Sequence, residues 1–131
     1  MGEKPEKTLY QRLGGYDAIA AIIDGLYARM RSDSTLQRFS VGRSEDSRKR
    51  ARQLFVDQMC ALSGGPCIYI GRDMKTSHAG LGITVGEWDQ TMKLTAASLD
   101  QLKIPDNEKE EFLGIFRRFR EEIVEPTHQQ K

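Results

Sequence analysis

The residue best suited to bind a metal centre is His78, one of two histidines in the 131-residue chain. It follows a short polar stretch and precedes Gly80 and Gly82, so we predict a short, glycine-terminated helix that presents the imidazole. A single histidine provides too few ligands for a zinc site. It suffices for haem iron, because the porphyrin supplies the equatorial ligands. A structural histidine is the alternative, and His128 in the polar tail is predicted to have no role.

Two polar residues lie on helix faces that are otherwise apolar. Tyr27 shares a face with Ile23 and Met30, and Gln58 follows Leu54 and Phe55 on a later helix. Each is compatible with a buried polar group that has found a hydrogen-bond partner. Together they would direct two donors towards a ligand on the iron. The flat or soft side chains that would wall a porphyrin, or else simply form the core, are Phe39, Phe55, Met59, Met74 and Trp88.

Helices separated by glycine and proline must position these residues. Apolar residues recur at spacings of three and four, which is typical of amphipathic helices, and we find no strand alternation of useful length. The predicted helices cover residues 8–13, 16–31, 44–63, 73–79, 84–104 and 106–125. Thr84 and Glu87 form the capping-box pattern. Gly25, within the second helix, indicates the close approach of another helix.

Two of these helices have inward faces that matter for the site. The face predicted for the 44–63 helix comprises Ala51, Leu54, Phe55, Gln58, Met59 and Leu62. The face predicted for the last helix comprises Phe112, Ile115, Phe116, Phe119 and Ile123. The sequence therefore predicts an all-α fold.

Length and composition favour one globular domain. Hydrophobic residues make up 38% of the chain and charged residues 30%. The 20 basic and 19 acidic residues give a net charge of 20 − 19 = +1, which provides no global attraction to nucleic acid or anionic membranes. No apolar run approaches the roughly 18–20 residues of a membrane span. The N-terminus does not resemble a signal peptide, so we expect a cytoplasmic protein.

The two cysteines, Cys60 and Cys67, do not form a C-x-x-C pair. In a cytoplasmic protein we expect both thiols to stay reduced as small, partly buried side chains. A disulfide or a redox role is the alternative.

Two motifs resemble those of the truncated haemoglobins of group I. Residues 9–15 read LYQRLGG, similar to the opening of these proteins, and residues 64–78 read GGPCIYIGRDMKTSH, similar to the stretch that ends in their proximal histidine. Tyr27, followed by Arg29, resembles their distal tyrosine, and Phe39 matches the phenylalanine that stacks on the haem. The resemblance covers about residues 8–124.

The resemblance implies a two-over-two helical sandwich around haem b, with iron bound by His78. The globin domain would span residues 8–125, between polar tails at 1–7 and 126–131. It implies binding or transport of oxygen and binding of CO and NO, with Tyr27 stabilising bound oxygen.

The register of the distal helix stays open. An ungapped alignment places Ala51 and Phe55 towards the haem and Gln58 one turn later, whereas a shifted alignment places Gln53 there. The remaining haem contacts expected are Phe39, Leu54, Met59, Tyr69, Arg72, Met74, Lys75 and Trp88. The basic run Arg48, Lys49, Arg50 and Arg52 is either a solvated helix face or supplies one partner for a haem propionate, and Arg72 and Lys75 are equal or better candidates for that partner.

Three functional hypotheses follow. The leading one is a haem protein that binds oxygen and oxidises nitric oxide to nitrate, for which an external reductase must supply electrons. The second is a haem-based electron-transfer or sensor protein without turnover. The third is a cofactor-free helical interaction module. We expect a monomer or weak dimer, with diatomic gases as ligands and neither nucleic acid nor membrane as a partner.

Overall fold

A computed structural model describes residues 7–124, which form helices and connecting turns without strands. The helices are α1 (Leu9–Leu13), α2 (Tyr16–Arg31), α3 (Glu45–Leu62), α4 (Met74–His78), α5 (Val85–Gln101), α6 (Asp106–Arg118) and α7 (Arg120–Ile123), with a 3₁₀ turn at Gln37–Phe39. The all-α prediction is confirmed. His128, the predicted C-terminal tail and most of the N-terminal tail lie outside the described residues.

Side-chain caps begin four of the helices, namely α1, α3, α4 and α5. Thr8 and Thr84 form capping boxes with Gln11 and Glu87. The Ser44 hydroxyl accepts a hydrogen bond from the backbone of Ser47 at the start of α3. Because these caps satisfy backbone donors that lack a partner within the helix, they fix the first turn of each helix.

The core lies between two layers of helices. α2 packs against both α3 and α5, α5 packs against α6, and short α4 packs against α7. This arrangement is the two-over-two sandwich expected from the sequence. The fully buried side chains at its centre include Ile19, Ile22, Ile23, Val56, Met59, Leu99 and Phe112.

Gly25 marks the crossing of α2 and α5, as predicted. A Cβ atom at this position would collide with the Ser98 hydroxyl. That hydroxyl donates a 2.8 Å hydrogen bond to the carbonyl of Ile22. A glycine is therefore needed for the two backbones to approach closely.

The structure amends two details of the predicted helices. α3 directs most of its predicted inward face towards a cavity, and it also buries Val56 and Cys60, which were not predicted, in the core. The reason is that α3 contacts both the core and a cavity, so it carries two adjacent apolar stripes. The predicted last helix is also not continuous, because Phe119 separates α6 from α7.

The cysteine prediction is corrected: Cys60 and Cys67 form a disulfide, with their Cα atoms 5.8 Å apart. The turn between them makes this possible. Gly64 has a φ of +95°, and the Gly65 amide donates a 2.8 Å hydrogen bond to the Cys60 carbonyl. The chain thus reverses immediately after α3, and the bridge ties the end of α3 to the segment that leads to α4.

Removing this bridge is expected to destabilise the protein. Because a cross-link restricts the unfolded chain, Cys67→Ser should lower the free energy of unfolding by roughly 2–3 kcal/mol. Urea titrations followed by circular dichroism, with and without a thiol reductant, would measure the change. Reductant should lower the midpoint of the native protein and leave that of the variant unchanged. A native midpoint indifferent to reductant would contradict the disulfide.

Candidate functional site

A cavity of about 770 Å³ opens between α2, α3, α4 and α5, with α6 and α7 closing one end. Its volume is within the range of roughly 300–1,000 Å³ typical of small-molecule and cofactor sites. The predicted site residues that line it are Tyr27, Phe39, Ala51, Leu54, Phe55, Gln58, Met59, Tyr69, Met74, His78 and Trp88. Gln53, Arg72 and Lys75 are not among the lining residues.

His78 is the last residue of α4 and is half-buried in the cavity wall. Its Nδ1 lies 2.9 Å from the Met74 carbonyl oxygen and 3.1 Å from the Ser77 hydroxyl. Because a carbonyl can only accept, Nδ1 must carry the proton to bond Met74. In the neutral ring Nε2 is then the unprotonated nitrogen, and within residues 7–124 it has no hydrogen-bond partner. This tautomer leaves Nε2 able to bind a metal.

The short helix that carries His78 is fixed at its N-terminal end. The Asp73 carboxylate accepts a 2.7 Å hydrogen bond from the Thr76 amide. Hydrogen bonds from the side chain and the backbone of Thr76 lower the pKa of Asp73. Before it, the Tyr69 hydroxyl donates to the carbonyl of Arg72. A Cβ atom at Gly71 would collide with the Tyr69 ring, so the turn requires glycine there. These contacts compensate for the low intrinsic stability of a single helical turn.

Tyr27 projects from α2 into the same cavity. Its ring packs edge-on against Phe55, with ring centroids 5.8 Å apart. Burial raises the pKa of its hydroxyl to about 12, despite an opposing effect from the positive charge of Arg43. The hydroxyl makes no hydrogen bond to any described residue. It is therefore a protonated donor facing the cavity.

The two candidate glutamines lie on different sides of α3. Gln58 is half-buried and lines the cavity. Gln53 is exposed, and its amide donates to the Tyr16 hydroxyl at 2.6 Å and to the Asp57 carboxylate at 3.1 Å. Of the two, only Gln58 is available to a molecule in the cavity.

Several residues of the cavity wall were not among the predicted site residues. Phe116, Phe119 and Ile123 were expected to face inward as ordinary core, but they line the cavity from α6 and α7. A helical repeat of apolar residues does not distinguish a core-facing side chain from a cavity-facing one. Arg43 was missed because it precedes the cap of α3 and belongs to no periodic pattern.

Basic side chains line the cavity beside the start of α3. Arg52 pairs with Asp24 at 2.8 Å, and exposed Lys49 lies 3.5 Å from Glu45. Arg43 and Arg48 have neutral partners among the described residues: Arg43 donates to the Ser47 hydroxyl at 2.8 Å, and Arg48 to the Arg43 carbonyl at 2.9 Å. Their charges remain available to an anionic group in the cavity.

The donor set does not suit a bare metal ion. Within residues 7–124 no three His, Cys, Asp or Glu side chains come together to hold one. A single imidazole in a largely apolar cavity is suited instead to a metal that arrives with ligands of its own. No helix in this part of the chain is long and apolar enough to cross a membrane.

Comparison with known proteins matches these features. The family described as bacterial-like globin matches residues 8–125. The group 1 truncated hemoglobin GlbN of Mycolicibacterium paratuberculosis is 30% identical over 117 residues, covering 89% of this chain and 84% of that protein. The group 1 truncated hemoglobin of Tetrahymena pyriformis is 26% identical over 121 residues, covering 92% of this chain and 97% of that protein.

Solved structures agree on the fold. The crystal structure of the Tetrahymena pyriformis truncated hemoglobin in its Fe(III) form superposes with a TM-score of 0.83 at 24% identity, covering 92% of this chain and 100% of that chain. The 2/2 hemoglobin of a Synechococcus species, in the cyanomet state and with covalently attached heme, gives a TM-score of 0.81 at 22% identity. It covers 90% of this chain and 98% of that chain. At such identities the likeness concerns the fold alone.

Proposed function

The chain belongs to the bacterial-like globin family as a group 1 truncated haemoglobin whose cofactor is haem, and on this premise we propose that His78 ligates the iron of haem b while Tyr27 stabilises bound oxygen. Globins of this family bind diatomic gases such as O₂. The observation that carries the proposal is the tautomer of His78. With Nδ1 committed to the Met74 carbonyl, Nε2 is unprotonated on the cavity wall.

The residues of the cavity fit a haem. Aromatic side chains from four parts of the chain provide flat apolar surface, namely Phe39, Phe55, Trp88 and Phe116. One imidazole is present, as an iron in a porphyrin requires. Arg43 and Arg48 provide two cations for the propionates, and we propose that they hold them. Arg72 and Lys75, the other candidates, do not line the cavity.

When bound, haem supplies the iron at which a diatomic gas is ligated. His78 contributes a nitrogen whose basicity depends on its second hydrogen bond. The 2.9 Å contact to the Met74 carbonyl increases the electron density of the ring and fixes its orientation. Ser77 lies slightly farther away, at 3.1 Å, and its hydroxyl also donates to the Met74 carbonyl at 3.3 Å.

Tyr27 provides a hydrogen-bond donor from α2, whereas His78 lines the same cavity from α4. Because the pKa of its hydroxyl is about 12, it keeps its proton throughout the physiological range. A hydrogen bond to a partly anionic oxygen in such an apolar site is worth roughly 1.5–3 kcal/mol. Gln58, which lines the cavity from α3, provides a second donor for the same ligand or for the tyrosine oxygen.

The reactive role that we propose is oxidation of nitric oxide by O₂ to nitrate. Formation of nitrate from NO and O₂ consumes one electron per turnover. An external reductase must therefore supply that electron. Electron transfer or sensing without turnover is the second candidate. Both depend on the same pair of His78 and Tyr27.

Absorption spectra of the purified protein test the proposal. We expect a Soret band after haem addition, and a distinct oxygenated spectrum after reduction with dithionite and exposure to O₂. Split visible bands in the reduced protein before oxygen is added would favour the electron-transfer or sensor role, because a side chain would then occupy the sixth position. The absence of a Soret band after haem addition would contradict the proposed function.

A further inference from the structure

We propose that Arg38 is a positioning residue. It connects the loop that follows His78 in the chain to the turn that carries Phe39, and both line the cavity. The inference rests on the proposed function, since the cavity that it concerns is the haem site. Its basis is a set of contacts that Arg38 makes to the start of α5, to the loop after His78 and to its neighbour in the chain, Phe39.

Arg38 forms a bidentate ion pair with Glu87 in the first turn of α5. Its Nε lies 2.7 Å from Glu87 Oε2, and its Nη2 lies 2.9 Å from Glu87 Oε1. The carboxylate is already fixed, because Oε1 accepts a 3.0 Å hydrogen bond from the Thr84 amide. The Glu87 side chain is 12% exposed and the Arg38 side chain 49%, so solvent reaches the pair mainly from the arginine side. The Arg38 hydrogen bonds hold the pKa of Glu87 below its usual value.

The same guanidinium tethers the loop that follows His78. Its Nη2 donates to the carbonyls of Leu81 and Gly82 at 3.1 and 3.2 Å. Within residues 7–124 these two carbonyls have no other hydrogen bond. The backbone hydrogen bonds around this loop are long, with the Leu81 amide 3.3 Å from the His78 carbonyl. Gly80 and Gly82 both have positive φ and empty space around them, so packing does not rigidify the loop.

The third contact is to Phe39, the next residue along the chain. The Arg38 guanidinium carbon lies 4.1 Å from the centroid of the Phe39 ring, which lines the cavity. Such stacking fixes both groups relative to each other. Leu81 and Glu87 line the same cavity. Arg38 therefore links the wall formed by Phe39 to the wall formed by the loop after His78.

Two variants and a matched control test this role. Arg38→Met removes all the polar contacts of the side chain. Arg38→Lys keeps the positive charge but cannot donate the two parallel hydrogen bonds of a planar guanidinium. Arg12→Met is the control. Arg12, on α1, also forms a bidentate ion pair, with Glu111 on α6 at 2.7 and 2.8 Å. Arg12 does not line the cavity.

The first measurement is the rate of haem transfer from the ferric holoprotein to an excess of a haem-scavenging apoglobin. We expect Arg38→Met to raise this rate by about tenfold, the lower end of the effect of losing a residue that supports a metal ligand. Arg38→Lys should also raise the rate of haem transfer, but by less than Arg38→Met does. Arg12→Met should stay within about twofold of the native rate. A native rate in Arg38→Met, or an equal rise in Arg12→Met, would overturn the proposal.

A second measurement does not depend on haem. Hydrogen exchange of the amides at residues 79–83 should accelerate in Arg38→Met and not in Arg12→Met. This measurement can be made even if Arg38→Met does not retain haem. Arg38→Lys can be compared with the native protein in the same way. If the native protein bound no haem, the proposed function would fail while exchange still tested Arg38. Unchanged exchange in both Arg38 variants would overturn the positioning role.

Discussion

Replacing His78 with alanine is expected to abolish stable haem binding. In the described part of the chain, His78 is the sole histidine and provides the imidazole on the cavity wall. In the proposed site, loss of the iron ligand would leave only apolar contacts and propionate pairing to hold the haem. We expect the affinity, measured by Soret absorbance during haem titration, to fall by about 100-fold or more.

Added imidazole distinguishes a lost ligand from a misfolded protein. The alanine variant leaves space where the side chain was, so free imidazole should restore a Soret band resembling that of the native protein. Ser77→Ala is the control, because it removes a neighbouring polar group that lies 3.1 Å from Nδ1 but leaves the Met74 carbonyl in place. A native spectrum in His78→Ala without added imidazole would exclude His78 as the ligand.

Local signals in the sequence predicted the framework around this site. α2 begins and ends at the predicted residues, Tyr16 and Arg31, between a glycine pair and a polar turn. The capping box of Thr84 and Glu87 also forms as predicted. These features depend on neighbours within about four residues along the chain, so a sequence pattern is enough to locate them.

What the sequence could not predict depends on residues distant along the chain. The choice between Gln53 and Gln58 depends on where α3 meets the core, and the hydrogen bonds of Gln53 to Tyr16 and Asp57 are tertiary contacts. The disulfide likewise depends on how tightly the chain turns after α3, which the spacing of two cysteines does not give.

The role of Arg38 is the clearest example. Its partners lie 43 to 49 residues away, and nothing in its local sequence separates it from other exposed arginines. The Glu87 carboxylate was assigned to a helix cap alone, although it also accepts the Arg38 ion pair. A single sequence shows which groups can pair but not which pairs the fold brings together.

Replacing Tyr27 with phenylalanine is expected to accelerate oxygen release by about tenfold or more, since each factor of ten corresponds to about 1.4 kcal/mol. Bound oxygen acquires negative charge, and the variant removes the donor that we propose stabilises it. CO acquires little charge, so its dissociation rate should change much less. Stopped-flow mixing of the oxygenated protein with excess CO would measure the oxygen release.

Tyr16→Phe is the matched control for this variant. Tyr16 begins the same helix, but its hydroxyl contacts Gln53 and Asp57 instead of the cavity, so oxygen release should stay close to the native rate. The pH dependence provides a further check. Because burial raises the pKa of Tyr27 to about 12, the donor keeps its proton and its contribution should be constant from about pH 6 to about pH 9. An equal effect of both tyrosine variants, or none from Tyr27→Phe, would exclude Tyr27 as the residue that retains oxygen.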